Sequence, residues 1–551
     1  MRKVLSLIAV VLCGLPAMAG DDGEVRRHSV ADSQLQSMGI TAPSALVDET
    51  SACAVYGVPT GGFVVVNKQA DGEELVLGYS TSVYTPGQMP CGFNWWLNAV
   101  NEVQQHGAVK RDSSRKYTPV LNLLSTQWGQ DAPYNNKCPA INGQRPPSGC
   151  VATAMAQVMN YYRWPEQGQG TGGYYVNDQY TPAEVNGTYD WDRMPTGKGK
   201  SVMTENIKKA VSTLLFDCGK AVKMQYDIEG SGAFQFDQAL ALARNFQYDS
   251  LSLQYCDRAL YPDADVWMDM ISAELQAGRP ILYSGMDAKA DGGHSFILSG
   301  IDENGKVYVN WGWDGYGDGY YAVDLLDANN GEFEFSKGQE MNIGIKPMDL
   351  SGPDGVYRSK WAVYYSAEPS LTADRQQLRL PYYYVYNAHF LPFVGDVGLY
   401  LQSTDGQGYA QLCLLEEMTT EELNYGDGYT NLVAKGDHYT YTPLRISFDQ
   451  LPEGCYQVWW GSKAVQDTEV QQMLDEDTGA PFTPFYIAKN DDGTLNYSTQ
   501  EITTTTAIRT VTSDSDGASA RYYRLDGRPA SAAHRGLTIV LQGSTLRKVL
   551  R

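Results

Sequence analysis

Residues 149–162 have the sequence GCVATAMAQVMNYY. Apolar side chains repeat along this stretch and three of its residues are alanines, which predicts a helix able to pack closely against its neighbours. Gly149 lets the chain turn sharply into that helix, so Cys150 lies in its first turn. Because the positive end of the helix dipole favours a thiolate, we expect the Cys150 thiol to be reactive.

Histidine is scarce in this chain, which carries six, and only His294 lies between residues 117 and 347. A zinc site built on several imidazoles is therefore excluded from that region. Any histidine that acts there as a general base must be His294. It follows Gly292 and Gly293, which leave room for a substrate backbone, and it opens the apolar run 295–298, which predicts a strand.

Each of these residues has an ordinary explanation when it is taken alone. A cysteine at the start of a helix is more often a small buried residue or half of a disulfide, and a histidine after two glycines is more often a turn residue. Trp311 and Trp313 follow His294 closely in the sequence. The combination favours a Cys150 nucleophile activated by a His294 base.

The composition is that of a folded, acidic protein. Hydrophobic residues make up 43% and charged residues 19% of the 551 residues, which is ordinary for globular domains. That length suggests about three or four domains. The formal net charge is −22 and no compact run of Lys and Arg is present, so nucleic acid is excluded as a partner.

The N-terminus predicts a signal peptide over residues 1–19. Arg2 and Lys3 precede an apolar core over residues 4–12, and Ala17-Met-Ala19 provides the small residues of a cleavage site. The apolar core is too short to span a bilayer, and we expect an exported protein without a transmembrane segment. Export permits disulfides, and among the nine cysteines Cys413 and Cys455 could pair.

The rest of the chain divides by pattern into four regions. Residues 20–116 contain two short strand signals, a helical stretch and a polar, basic linker over 108–116, where proteolytic nicking is expected. Residues 117–347 predict an α+β domain, with helices over 149–162, 204–215 and 266–277 followed by antiparallel strands at 281–283, 295–298, 307–309 and 320–323. Alternating strands over 350–510 predict a β-sandwich of immunoglobulin-like type, and 520–551 form a final module.

Residues 117–347 resemble the streptopain family of secreted bacterial cysteine peptidases. The resemblance rests on motifs in the expected order: Tyr117-Thr-Pro-Val, Trp128-Gly-Gln-Asp-Ala-Pro-Tyr-Asn135, Gly149-Cys-Val-Ala-Thr-Ala-Met-Ala-Gln-Val-Met159, Tyr189-Asp-Trp-Asp-Arg-Met-Pro195, Gly292-Gly-His-Ser-Phe296, Val309-Asn-Trp-Gly-Trp313, Asp318-Gly-Tyr-Tyr-Ala-Val-Asp324 and Ile343-Gly-Ile-Lys-Pro347. It implies a papain-like, two-lobed α+β protease domain and endopeptidase activity on proteins or peptides. It also implies that residues 20–116 are an α/β propeptide that inhibits the enzyme until cleavage near 107–116.

The resemblance also implies a role for each site residue. Cys150 is the nucleophile and His294 its proton acceptor, without a cofactor or a metal. Gln130 matches the glutamine of the oxyanion hole. The remaining matches are Trp311 and Trp313, which help to orient the histidine ring, and Ser231 and Gly293, which line the substrate cleft.

Two other functions remain open from the sequence. A transglutaminase-like acyltransferase would use the same cysteine and histidine with an aspartate, for which Asp302 and Asp314 are candidates. A secreted adhesin would use the β-sandwich and carry a degenerate protease domain.

The run 314–319 lacks the ligand spacing of a calcium loop and predicts a tight turn. Residues 520–551 resemble the C-terminal sorting segments of exported Bacteroidetes proteins, which implies attachment to the cell surface.

Overall fold

The structure is a computed structural model in which the chain forms two compact units. One comprises Met1–Arg358 with His389–Pro392, and the other comprises Ser359–Ala388 with Phe393–Arg551. The predicted signal peptide, most of the predicted linker and part of the final module lie outside the described residues, which are 22–70, 75–106, 115–196, 203–258, 261, 263–287, 292–324, 338–349, 359–365, 368–404, 409–416, 422–435, 438–476, 480–502, 521–524, 529–530, 537–542 and 545–550.

The first unit mixes helices and strands. In chain order its elements are α1 (Asp22–Ser37), β1 (Ala45–Glu49), β2 (Cys53–Gly57), β3 (Phe63–Asn67), β4 (Val76–Ser80), α2 (Cys91–His106), α3 (Cys150–Tyr162), β5 (Thr171–Val176), β6 (Gln179–Glu184), a 3₁₀ turn (Trp191–Arg193), α4 (Glu205–Ala221), β7 (Gln225–Tyr226), α5 (Gln235–Asn245), β8 (Gln254–Asp257), α6 (Ala264–Gln276), β9 (Ile281–Asp287), β10 (Gly292–Ile301), β11 (Val307–Asn310), β12 (Gly319–Tyr321) and β13 (Gln339–Ile343). The predicted mixture of α and β structure is confirmed.

One antiparallel sheet organises this unit. Its strands follow the order β1-β2-β3-β4-β12-β11-β10-β9-β13-β8. The N-terminal region supplies β1 to β4, and β4 joins the rest of the sheet by pairing with β12, with Tyr79 opposite Tyr320. Strand β10, which carries His294, therefore lies between β9 and β11. A second, smaller sheet has the order β6-β5-β7.

Strands β2 and β3 show why the run 63–66 is continuously apolar. Every residue of both strands is buried. Val55, Phe63 and Val65 face a large core shared with α2 and β10, whereas Val64 belongs to a second cluster that packs under α1. Because both faces of these strands are covered, apolar residues are needed at every position instead of at alternate ones.

The three helices predicted after residue 149 are present as α3, α4 and α6. Helix α4 begins after Thr204, whose hydroxyl accepts a hydrogen bond from Ile207 N, and it continues to Ala221, beyond the predicted end at 215. Helices α1 and α5 were not predicted. Helix α5 lacks a side-chain cap at Phe234, so its start carries little local signal.

Strands are the only regular secondary structure among the described residues of the second unit. They are β14 (Trp361–Tyr365), β15 (Ser370–Leu371), β16 (Gln377–Leu380), β17 (Tyr383–Asn387), β18 (Gly395–Ser403), β19 (Tyr409–Glu416), β20 (Gly428–Thr430), β21 (Leu432–Lys435), β22 (His438–Tyr441), β23 (Leu444–Ser447), β24 (Gly454–Ala464), β25 (Gln471–Gln472), β26 (Leu474–Asp475), β27 (Phe485–Lys489), β28 (Leu495–Ser498), β29 (Arg521–Arg524), β30 (Pro529–Ala530), β31 (Leu537–Gln542) and β32 (Thr545–Leu550). The sheet of this unit with the most strands places β18 between β19 and β24. The suggested pairing of Cys413 with Cys455 is wrong, because neither residue forms a disulfide and β18 separates the two strands that carry them.

Candidate active site

Cys150 lies in the first turn of α3, as the sequence predicts. Gly149 before it has φ 89°, a backbone conformation that favours glycine. A Cβ at Gly149 would also come within 2.6 Å of the Met224 methyl group and 3.0 Å of the Ser231 carbonyl oxygen. Only glycine can therefore make this turn, and the turn fixes the position of the sulfur.

The strand that carries His294 lies directly beside the start of α3. The backbone N–H of Ser295 points at Cys150 Sγ, with 3.4 Å between nitrogen and sulfur. His294 is the neighbour of Ser295 in β10 and is paired with Gly285 of β9. The structure thus brings the two residues of the predicted pair to adjoining elements, although they are far apart in sequence.

A second thiol contacts the histidine. Cys91 begins α2, in the region predicted to be a propeptide, and its sulfur lies 3.3 Å from His294 Nδ1. The next residue, Gly92, is tightly enclosed, because a Cβ there would lie 2.8 Å from the Trp311 ring and 3.7 Å from His294 Cβ. The start of α2 therefore covers the imidazole.

Burial is the main influence on the pKa of both thiols in this form of the chain. It raises the pKa of Cys150, and this effect outweighs the hydrogen bonds from the backbone of Ser295 and Val151, which lower it. It raises the pKa of Cys91 to about 11, with the nearby Cys150 contributing in the same direction. The expectation that the helix dipole makes Cys150 ionise readily is wrong for the form with α2 in place, because desolvation of the sulfur dominates.

Gln130 lies on a loop held against the nucleophile segment. Its carbonyl oxygen accepts a hydrogen bond from Ser148 N at 2.9 Å. Trp128, two residues earlier, is held by α3, because its backbone N–H donates a 3.1 Å hydrogen bond to Gln157 Oε1. The Gln130 side chain is half-buried and lies on a loop anchored at both of these points.

The two tryptophans differ in their surroundings. Trp311 is 3% exposed, and its ring packs 4.9 Å from that of Phe296 and 6.3 Å from that of Phe93 in α2. Its indole N–H donates to Gly317 O at 3.1 Å. Trp313 is 38% exposed. Trp311 is therefore a core residue that packs against both α2 and β10, whereas part of the Trp313 side chain is exposed to solvent.

The residues predicted to line a substrate cleft also lie near the nucleophile. Ser231 is buried, and the close approach of its carbonyl to Gly149 places its loop beside the first turn of α3. Gly293 precedes His294 and pairs with Met286 of β9. The structure thus brings the predicted site residues of four separate segments to one end of α3.

Helix α2 supplies contacts that the sequence analysis missed. Trp95 is 4% exposed, and its ring lies 6.1 Å from that of Phe296. It also covers Gly285, the partner of His294, so closely that a side chain at Gly285 would overlap the indole. The adjacent aromatic residues of α2 were a visible signal for this packing, but no local pattern shows which strand they cover.

The aspartates considered as a third member have other partners. Asp302 accepts hydrogen bonds from Asn304 N at 2.9 Å and Lys306 N at 2.8 Å, as a turn residue does. Asp314 lies next to Gly129, because a Cβ there would be 2.7 Å from its carboxylate. Within the described residues no cluster of three potential metal ligands is found. No helix described here is both long and apolar enough to cross a membrane.

Comparison with known proteins identifies the family. A model of the peptidase C10 family matches residues 128–321. The thiol protease/hemagglutinin PrtT of Porphyromonas gingivalis is 33% identical over 354 residues, which are 59% of this chain and 40% of PrtT. Streptopain of Streptococcus pyogenes is 29% identical over 327 residues, which are 53% of this chain and 80% of streptopain. The chain thus spans less than half of PrtT.

Two solved structures are also similar. A fragment of Prevotella intermedia prointerpain A with a cysteine-to-alanine mutation shares 37% sequence identity, covers 55% of this chain and 99% of its own, and gives a TM-score of 0.49. Active wild-type interpain A shares 39% identity over 43% of this chain and 98% of its own, with a TM-score of 0.38. The resemblance to the streptopain family is confirmed by the family model and by the sequence identities to PrtT and streptopain. Residues 128–321 of this chain therefore belong to the peptidase C10 family of thiol proteases.

Proposed function

We propose that this thiol protease is a secreted endopeptidase, made as an inactive precursor, in which Cys150 is the nucleophile and His294 the base. The observation that carries the proposal is the 3.4 Å contact from Ser295 N to Cys150 Sγ, which places the sulfur beside the residue that follows His294. We infer that the imidazole meets the sulfur once α2 has left and no longer covers it.

The chemistry follows from that pair. The Cys150 thiolate adds to the scissile carbonyl carbon, and the C–N bond breaks as the His294 imidazolium gives its proton to the leaving amine. Water then attacks the thioester and loses a proton to His294, and the C–S bond breaks. The acid product leaves, and the thiolate and imidazolium are restored.

The oxyanion that forms in both steps needs donors. We assign this role to the amide group of Gln130 and the backbone N–H of Cys150, and the bonds that hold the Gln130 loop to Ser148 and to α3 support the assignment. In the same proposal Trp311 and Trp313 confine the imidazole, while Ser231 and Gly293 line the cleft that accepts the substrate backbone.

Latency is the role we assign to residues 20–116. Helix α2 covers His294 through Cys91 and Trp95, and burial raises the pKa of Cys150, so neither group is ready for catalysis in this form. Strand β4 anchors the same region to β12. Cleavage between about residues 107 and 116 would turn this covalently tethered region into a separate chain that can dissociate.

The proposed start of the mature enzyme is anchored on the far side of the linker. Arg115 forms ion pairs with Asp265 and Asp269, and Tyr117 N donates to Glu303 O at 3.0 Å. Residues after the linker therefore remain attached to the protease when the propeptide leaves. This supports a protease domain that begins near residue 117, and we assign a papain-like, two-lobed fold to residues 117–347.

The remaining regions complete the proposal. We assign residues 1–19 to export as a signal peptide, 350–510 to an immunoglobulin-like β-sandwich that accompanies the protease, and 520–551 to sorting or surface attachment. Proteins or peptides are the substrates, without nucleic acid as a partner. The acyltransferase and adhesin alternatives become outcomes of the experiment below.

The test compares the maturation of two precursor variants. Cys150→Ala should remain full length and fail to react with an epoxide that alkylates thiolates. Cys256→Ala, which removes a buried cysteine of the same unit that forms no disulfide, should mature like wild type. N-terminal analysis and intact mass identify the products.

Full maturation of Cys150→Ala in the absence of other proteases would refute the proposal. Folded, propeptide-free protein without a Cys150 adduct would favour the adhesin, and amine incorporation without peptide cleavage would favour the acyltransferase.

A further inference from the structure

A buried glutamine links the two halves of the proposed catalytic pair. Gln238 lies on α5 and is 0% exposed. Its amide nitrogen donates to Val151 O at 2.8 Å and to Ser295 Oγ at 3.2 Å. Val151 follows Cys150 and Ser295 follows His294. One side chain thus uses both of its N–H groups to join the residue after the nucleophile to the residue after the base.

These bonds close a ring around the sulfur. Ser295 N contacts Cys150 Sγ at 3.4 Å, Ser295 Oγ accepts from Gln238, and Gln238 donates to Val151, which is covalently joined to Cys150. Each link connects different elements, namely β10, α5 and α3. The ring therefore fixes the start of α3 against β10.

The ring is itself held by other buried amide groups. Gln238 Oε1 accepts from Asn342 Nδ2 at 3.3 Å, and Ser295 Oγ donates to Gln235 Oε1 at 3.0 Å. Gln235 Nε2 in turn donates to Leu282 O of β9 at 2.8 Å. Because an unpaired buried polar group is costly, these side chains have little freedom to move independently.

We propose that Gln238 is a positioning residue that sets the separation and orientation of Cys150 and His294. The inference rests on the proposed roles of those two residues. Gln238 does not touch substrate in this arrangement; it acts through Val151 and Ser295. A displacement of about 1 Å between reacting groups can lower a rate by roughly 100-fold. Loss of the two bonds should therefore lower kcat far more than it raises KM.

The test uses the full-length chain, matured by limited trypsin digestion at the basic linker so that the result does not depend on self-cleavage. Gln238→Leu, which removes both donors at similar volume, should lower kcat by about 10- to 100-fold with KM within about threefold of wild type. Asn245→Leu is the matched control. It removes a buried amide of the same helix that donates to Gln169 O at 2.8 Å, and it should leave kcat within about twofold of wild type.

A conservative variant separates positioning from a purely structural role. In Gln238→Glu the carboxyl group can donate only when it is protonated. Its kcat relative to wild type should therefore rise as the pH falls, whereas a variant that merely loses stability would worsen on acidification or show no such trend. Ser295→Ala, which removes one hydroxyl, provides a milder variant if Gln238→Leu fails to fold, and it should give an intermediate loss of kcat.

The outcomes are distinguishable. If folded Gln238→Leu or Ser295→Ala retains the kcat and the pH profile of wild type while Cys150→Ala is inactive, the inference about Gln238 is wrong and the proposed function stands. If Cys150→Ala itself retains wild-type activity, the proposed function fails first. A loss confined to KM would also overturn the inference, because it would mark Gln238 as a substrate-binding residue.

Discussion

Replacement of Trp95 with alanine should expose the site of Cys150 and His294 in the proposed precursor without cleavage of the chain. Trp95 is 4% exposed, contacts the Phe296 ring across 6.1 Å, and covers Gly285 opposite His294. These contacts join α2 to the strands that carry the proposed base. Their loss should weaken the docking of α2 on β9 and β10 more than it destabilises the N-terminal region or the protease region by itself.

The size of the effect follows from the burial of the indole. Truncation of a buried tryptophan to alanine costs about 3–5 kcal/mol. If most of that cost falls on the docked state, the equilibrium between covered and uncovered sites shifts by roughly 100- to 1,000-fold, since each 1.4 kcal/mol is a factor of about ten.

The assay is the rate at which an epoxide inhibitor labels Cys150 in uncut precursor, followed by intact mass of the full-length species. When opening is fast compared with labelling, the rate reports the uncovered fraction. Trp460→Ala removes an equally buried tryptophan of the second unit and should label at the wild-type rate. Labelling of Trp95→Ala within about twofold of wild type, in a precursor that is still folded, would refute the covering role of α2.

Three further predictions test the site and its support. Gln130→Ala should lower kcat by about 100- to 1,000-fold with little change in KM, and an unchanged kcat in peptide hydrolysis would remove Gln130 from the oxyanion hole. In the Cys150→Ala precursor, alkylation of Cys91 should keep rising at pH values above the ordinary thiol pKa of about 8.5, because burial raises the pKa of Cys91 and keeps it a neutral thiol; a plateau near the ordinary thiol pKa would contradict its burial. Asp217→Asn should lower the free energy of unfolding by about 3–5 kcal/mol in urea denaturation, because it breaks the buried 2.6 Å ion pair with Lys220, whereas a loss below about 1 kcal/mol would mean that the pair behaves like an exposed one.

The parts of the fold that follow from local patterns were predictable. Helix α3 was predicted because its apolar repeat, its alanines and Gly149 all indicate the same structure, and strands β9 to β12 are separated by clear turn residues. The same residues placed Cys150 and His294, since scarcity of histidine left a single candidate in that region.

The missed features depend on contacts between distant segments. Nothing near Tyr79 shows that β4 pairs with β12, so the N-terminal region could not be predicted to extend the protease sheet. The contact between Cys91 and His294 arises only when α2 packs across β10. Gln238 lies within an ordinary amphipathic helix, and only the fold reveals that its amide bridges Val151 and Ser295.

The expected ionisation of Cys150 shows how tertiary structure overrides a local rule. The helix N-terminus favours a thiolate, but burial of the sulfur raises the pKa in this form. Because burial causes the shift, we expect its sign to change when α2 leaves. Removal of the proposed propeptide should lower the pKa of Cys150, because solvent and an uncovered His294 then stabilise the thiolate.

The most direct test measures the pH dependence of Cys150 alkylation in mature enzyme, with and without the imidazole. In wild type, reactivity should persist to pH values well below the ordinary thiol pKa, and His294→Ala should move the profile upward by several pH units. Identical profiles for the two proteins, both near the ordinary thiol value, would contradict an ion pair between Cys150 and His294.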